Sequence, residues 1–158
     1  MNKKDFTTRI SKVKVKMYNT ALLYLGSESD AMDAVDEAVY KAYKSLKSLK
    51  HEEFFETWII RILINECKKE IRRKKRIFVT DSIEDDFESF NYDVLPLNEA
   101  IHKLSDDLKS IIILRYFDDL TLAEVSQVLD IPQGTVVSKQ RKALSLLKLN
   151  LMEEYKNG

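Results

Sequence analysis

The sequence predicts an all-α protein made of two small helical bundles joined by a flexible acidic linker. Three observations predict this. The 158 residues include only three Gly and two Pro, too few for the tight turns that β architectures need. Apolar residues recur at spacings of three and four along most of the chain, which gives helices with one buried side. Charge, which sums to zero overall, is unevenly placed. Residues 1–76 hold 18 Lys and Arg against 11 Asp and Glu, residues 77–99 hold seven acids and no base, and residues 100–158 hold eight of each sign. A basic piece, an acidic strap and a neutral piece predict a domain at 1–76, a linker at 77–96 and a second domain at 97–158.

The same composition narrows the function. A hydrophobic content of 44% can fill real cores. Cys67 is the single cysteine, so no internal disulfide forms and a reducing compartment fits. No apolar run reaches membrane-spanning length and no signal pattern opens the chain, so a cytoplasmic location is expected. His51 and His102 are isolated and Cys67 has no partner thiol, which leaves neither a zinc site nor a nucleophile triad. With no Gly-rich phosphate loop either, the chain is expected to use no cofactor, take no small-molecule substrate and catalyse no reaction.

In the first domain, a helix is expected over 7–25, with Ile10, Val13, Met17, Ala21, Leu22, Tyr24 and Leu25 inside and Arg9, Lys12, Lys14 and Lys16 in water. Gly26 suits its end, and Ser27 or Ser29 suits the start of the next. That second helix, about 30–46, buries Ala31, Ala34, Val35, Ala38, Val39, Ala42, Tyr43 and Leu46. Its acids read from composition as a solvated face. A polar connector over 47–53 leads to a third helix, about 52–75, whose apolar side is Phe54, Phe55, Trp58, Ile59, Ile62 and Leu63. Aromatics at this spacing are core candidates first. The helix ends in seven cations among residues 68–76, more than a helix C-terminus needs to satisfy its dipole, so nucleic acid is the better account.

The second domain opens with a short helix over 97–104. Ser105 is expected to cap a helix running from Asp106 to Phe117, with Leu108, Ile111, Ile112, Leu114, Tyr116 and Phe117 in the core. Thr121 and Glu124 then fit a capping box. Leu122, Val125, Val128 and Leu129 form one apolar side. Pro132 stops this helix and suits the start of another. In the last helix, which runs to about Glu154, Val136, Gln140, Ala143, Leu144 and Leu147 line the inner side. Thr135, Ser138, Lys139 and Lys142 lie outward. This is a helix-turn-helix with a polar, basic outer face sized for a DNA major groove.

On these residues the chain resembles a known family. Gly134, Thr135, Val136, Val137, Ser138 and Lys139, followed by Arg141, Lys142, Ala143 and Leu144, look like region 4 of the small sigma-70-family factors of the extracytoplasmic-function (ECF) group. Residues 104–117 are similar to region 4.1, residues 30–43 to region 2.2, and residues 55–65 with Arg72 and Arg73 to region 2.3–2.4. The resemblance implies a sigma factor that recruits core RNA polymerase to promoters and directs transcription initiation, in this group often in stress responses. It implies −35 contacts by Gln133, Thr135, Val137, Ser138, Lys139, Arg141 and Lys142. It implies that Trp58, Arg61, Asn65, Lys69, Arg72 and Arg73 hold the melted −10 strand and a flipped base. Asp33, Asp36, Glu37 and Tyr40 would bind core polymerase. The implied partners are the β′ coiled coil and β flap of the polymerase, promoter DNA, and an anti-sigma factor, in this family often membrane-bound. The alternative from the residues alone is a dimeric helix-turn-helix regulator that acts without being a polymerase subunit.

Overall fold

The computed structural model describes residues 1–78 and 95–157, in two compact units. The described residues are helical, with no strand among them. The expected linker lies, over 79–94, outside the described residues.

The first unit is a three-helix bundle: α1 (Lys3–Leu25), α2 (Glu28–Lys44) and α3 (Phe55–Phe78). α1 begins four residues earlier than expected. The Asn2 side chain accepts from the Asp5 amide at 2.9 Å and starts the helix there, which carries Phe6 into the core at 5% exposure. At the other end Gly26 takes φ 70° and its amide donates to the Leu22 carbonyl, a left-handed cap that costs glycine nothing. Ser27, rather than Ser29, caps α2 by accepting from the Asp30 amide. Ala31, Ala34, Ala38 and Ala42 are buried along α2. Their small side chains let the neighbouring helices approach closely, and Met17, Leu22 and Tyr24 of α1 and Ile59, Ile60, Leu63 and Ile64 of α3 are buried in the same bundle.

Two expected core residues lie elsewhere. Tyr43 is 46% exposed, its ring tilted at 55° to that of Phe6 with centroids 5.5 Å apart. Phe54 is half exposed because a 3-10 turn over Glu52–Phe54 precedes α3 and places it outside the helical register. Phe55, one residue on, is buried.

The second unit comprises α4 (Leu95–His102), α5 (Asp106–Ile112), α6 (Leu122–Leu129) and α7 (Gln133–Asn157). Ile101, Leu108, Ile111, Ile112, Ile113, Leu114, Val125, Val136 and Ala143 form its core. Ser105 stands at the start of α5, but its hydroxyl makes no capping bond. Its carbonyl instead accepts from the Lys109 amide at 2.8 Å. Beyond Ile112 the helix widens into a π-turn over Ile113–Phe117, closed by Asp118 N–H donating to Ile113 O. The extra residue in that turn advances the register. Tyr116 and Phe117, expected inside, are therefore 48% and 43% exposed.

The capping box forms as expected: the Glu124 amide donates to Thr121 Oγ1 and the Thr121 amide to Glu124 Oε1. Thr121→Ala is expected to lower the stability of this unit by about 0.5–2 kcal/mol. Thermal unfolding checks it, at roughly 4–8 °C per kcal/mol for a domain of this size. No described helix is long and apolar enough to cross a membrane, and no group of described His, Cys, Asp or Glu could hold a metal ion.

Candidate nucleic-acid interface

On α3, Trp58, Arg61, Asn65, Lys69 and Arg72 follow one another at spacings of three and four, so they share one side of the helix. The opposite side is the buried one, with Ile59, Ile60, Leu63, Ile64 and Cys67. Arg61, Asn65, Lys69 and Arg72 are exposed and Trp58 is half-buried. The indole lies against Phe55, centroids 5.8 Å apart at 48°, and keeps part of its surface exposed. It is thus part core and part surface, and the surface part can stack against an unstacked base. Arg61 and Arg72 pair with no described acid, so their guanidinium groups keep all their donors for a ligand.

Arg73 differs. It lies one position around the helix, on the side facing α2, and its Nε and Nη2 donate to the Glu70 carboxylate. Hydrogen bonding and the charge of Glu70, with Asp30 and Asp33 nearby, hold its pKa above the usual value. The next turn of the outer side is filled by Arg76, exposed, which the expected site omitted. The three-and-four spacing from Trp58 through Arg72 would have reached it.

On α2, Asp33, Asp36, Glu37 and Tyr40 also share one side, and all four are exposed. Met32, 58% exposed, borders them. It was not expected there, though it sits one turn before Asp36. Lys44 lies over the Tyr40 ring at 5.0 Å. Two ion pairs tie α2 to α3. Lys74 bridges Asp30, and Lys41 bridges Glu66. Glu66, 9% exposed, raises the Lys41 pKa through this hydrogen bond. Between the two helices lies a cleft of about 460 Å³ lined by Asp33 and Glu37 on one wall and Glu66, Lys69, Arg73 and Arg76 on the other. Residues expected to meet polymerase and residues expected to meet DNA therefore share one cavity.

In the second unit, α6 packs Val125 and Val128 beneath α7. The turn between them is fixed by Asp130 at φ 55°, by the Ser126 hydroxyl donating to Ile131 O, and by the Pro132 carbonyl accepting from the Thr135 and Val136 amides. Pro132 thus stands at the start of α7, whose first residue is Gln133, as expected. Thr135, Ser138, Lys139 and Lys142 share a side about a third of a turn around the helix from Val136, Ala143 and Leu147, with Thr135 and Lys139 half-buried. Val137 and Arg141 belong to an adjoining side, with Leu144, which is 40% exposed instead of buried. Gln133 is exposed at the helix start. Arg115 ties this helix down: its Nη1 donates to Leu120 O at 2.8 Å and its Nε to Gln140 Oε1 at 3.2 Å.

Both units have counterparts among known proteins. Residues 10–77 match Sigma-70 region 2, and residues 100–149 match Sigma-70, region 4. The chain is 32% identical to RNA polymerase sigma factor SigV of Bacillus subtilis over 98% of both chains. It belongs to the sigma-70 family of RNA polymerase sigma factors, in the ECF group. It is 31% identical to the ECF RNA polymerase sigma-E factor of Haemophilus influenzae, over 93% of this chain and 87% of that one. The ECF sigma factor SigW of Bacillus subtilis is 28% identical over 89% and 85%. Among solved structures, the fold is shared with the sigma factor RpoE of Bartonella quintana, solved with the anti-sigma factor NepR. The TM-score is 0.83 at 21% identity, over 94% of this chain and 98% of that one. CnrH, solved with the cytosolic domain of CnrY, gives 0.76 at 19% identity over 96% and 90%.

Membership decides between the two readings of the helix-turn-helix. A sigma factor is a transcription initiation factor and not an enzyme, and it works as part of the polymerase, so the independent dimeric regulator is set aside. The region 2 match falls within α1–α3, and the region 4 match within α4–α7.

Proposed function

We propose that this sigma factor grips the two promoter elements through two helix sides. The outer side of α3, from Trp58 through Arg61, Asn65, Lys69 and Arg72 to Arg76, holds the melted −10 strand. Cations along it neutralise phosphates, and Trp58 offers a face to an unstacked base. Arg73 serves mainly to orient the α2–α3 pair. The outward side of α7, with Thr135, Ser138, Lys139 and Lys142, enters the −35 major groove. Gln133, Val137 and Arg141 flank it, Arg141 within reach of phosphate. Asp33, Asp36, Glu37 and Tyr40, with Met32 beside them, dock on the β′ coiled coil, and region 4 meets the β flap. The protein acts in the cytoplasm, needs no cofactor, and is held in check by an anti-sigma factor, a reading supported by the likeness to RpoE solved with the anti-sigma factor NepR.

The observation that carries this reading is the alignment of Trp58, Arg61, Asn65, Lys69 and Arg72 on a single exposed side of one helix. Core packing does not require it. Run-off transcription with purified core polymerase, with and without the chain, on genomic fragments tests it. New start sites should appear only with the chain present, and their absence would end the proposal. Lys139→Ala is expected to weaken −35 recognition by about 1–3 kcal/mol where the lysine reads a base edge. Binding measured on promoters differing only in the −35 element checks this. An equal loss on every sequence would make Lys139 a phosphate contact.

A further inference from the structure

Among the described residues, Lys139 is the one cation on the outward side of α7 held by an acid from another helix. Its Nζ lies 3.1 Å from Asp107 Oδ2, in the first turn of α5. The Asp107 side chain is 68% exposed and that of Lys139 33%. A pair this open contributes little to the fold, so stability does not explain it. Its place does, since Lys139 stands among Thr135, Ser138 and Lys142 on the side that faces DNA. α5 and α7 also pack through a shared core that includes Ile111, Ile112, Val136 and Ala143, so the backbone that carries Asp107 keeps a fixed position relative to the recognition helix.

We propose that Asp107 is a specificity-determining positioning residue, which orients Lys139 toward a base edge of the −35 element and keeps it off the phosphates. The chemistry is that of an ammonium on a four-carbon stem. It has three donors and no acceptor, and left alone it serves any nearby anion as a point charge. Phosphate oxygens are the abundant anions along a groove wall and carry no sequence information. With one N–H given to Asp107, two donors remain, aimed away from α5. The negative charge beside the lysine also disfavours a phosphate at that spot. A residue that would otherwise add affinity on every sequence is thereby made to discriminate.

The inference rests on α7 being the −35 helix, and the test separates the two. Holoenzyme is assembled from core polymerase and full-length wild type, Asp107→Ala, Lys139→Ala or the double variant. Affinity is measured from low to high salt on a promoter duplex found by run-off transcription and on its single −35 base-pair substitutions. Asp107→Ala should reduce the preference at the base pair Lys139 reads from about five- to hundredfold towards onefold. The slope of log affinity against log salt should steepen by about 0.9, the mark of one added phosphate contact. In the double variant both effects should vanish, since they act through Lys139. If Lys139→Ala changes neither affinity nor preference, the reading of α7 itself falls. If Lys139→Ala weakens binding but Asp107→Ala leaves preference and slope unchanged, the positioning role falls. A uniform loss across all sequences with an unchanged slope also overturns it, because that is what a merely structural role would give.

Discussion

Charge reversal of Arg61 and Arg72 together should abolish promoter opening while core polymerase binding stays close to wild type. Both residues are exposed on the outer side of α3, and Arg72 pairs with no described acid, so reversing it breaks no described ion pair. Each contact with a phosphate is worth about 1 kcal/mol even at water-like dielectric. Turning two attractions into two repulsions then costs about 4 kcal/mol, roughly a thousandfold. Arg73→Glu should behave differently. It would set a third carboxylate beside Glu70 and Glu66 and across the cleft from Asp33 and Glu37. Like charges there loosen α2 from α3, so core binding and opening should fall together. Strand-sensitive footprinting reads opening, and fluorescence anisotropy with labelled core reads association. Opening that survives the Arg61 and Arg72 reversal would remove the proposed −10 surface.

The contrast between Arg72 and Arg73 marks where sequence reading stops. Helical spacing alone places Trp58, Arg61, Asn65 and Arg72 on one side, because 3.6 residues per turn is a property of the backbone. The capping box at Thr121 and Glu124 was legible for the same reason, being local. Arg73 beside Glu70 is also a local pair, three residues apart, and could have been read from that spacing. Its second influence, Asp30 and Asp33, comes from another helix and could not. Asp107 and Lys139 are further apart still along the chain, and only the packing of α5 on α7 joins them. Errors of register had a different origin. Tyr116 and Phe117 were placed inside on the assumption of an unbroken α-helix, and one π-turn rotated them outward. Leu144 and Tyr43 are apolar at plausible core positions, yet each sits at the margin of its buried stripe, where the neighbouring helix no longer covers it. Composition and period say which side is apolar; the width of the contact is set by the partner helix.

The other large effect concerns stability. Ile111→Ala should unfold the second unit at or near physiological temperature and eliminate −35 recognition. Ile111 is fully buried, and so are Ile113, Leu114, Val125, Val136 and Ala143, the residues on which α6 and α7 rest. Replacing a buried isoleucine by alanine costs about 2–5 kcal/mol, partly through lost transfer and partly through the cavity left behind. A unit of this size has only about 3–9 kcal/mol to lose, at the usual stability per residue. The close packing of α4 to α7 in such a small domain gives little room for collapse around the hole, which favours the upper part of the range. The helix-turn-helix would then lose the platform that aims Thr135, Ser138, Lys139 and Lys142. No core residue of the first unit is touched, so its helices should still melt as in the wild type and the chain should still bind core polymerase. Calorimetry of the full chain, with anisotropy for core binding, reads both halves of the expectation. A variant that keeps wild-type −35 affinity and melting behaviour would mean that the recognition helix is held in place by something other than this core.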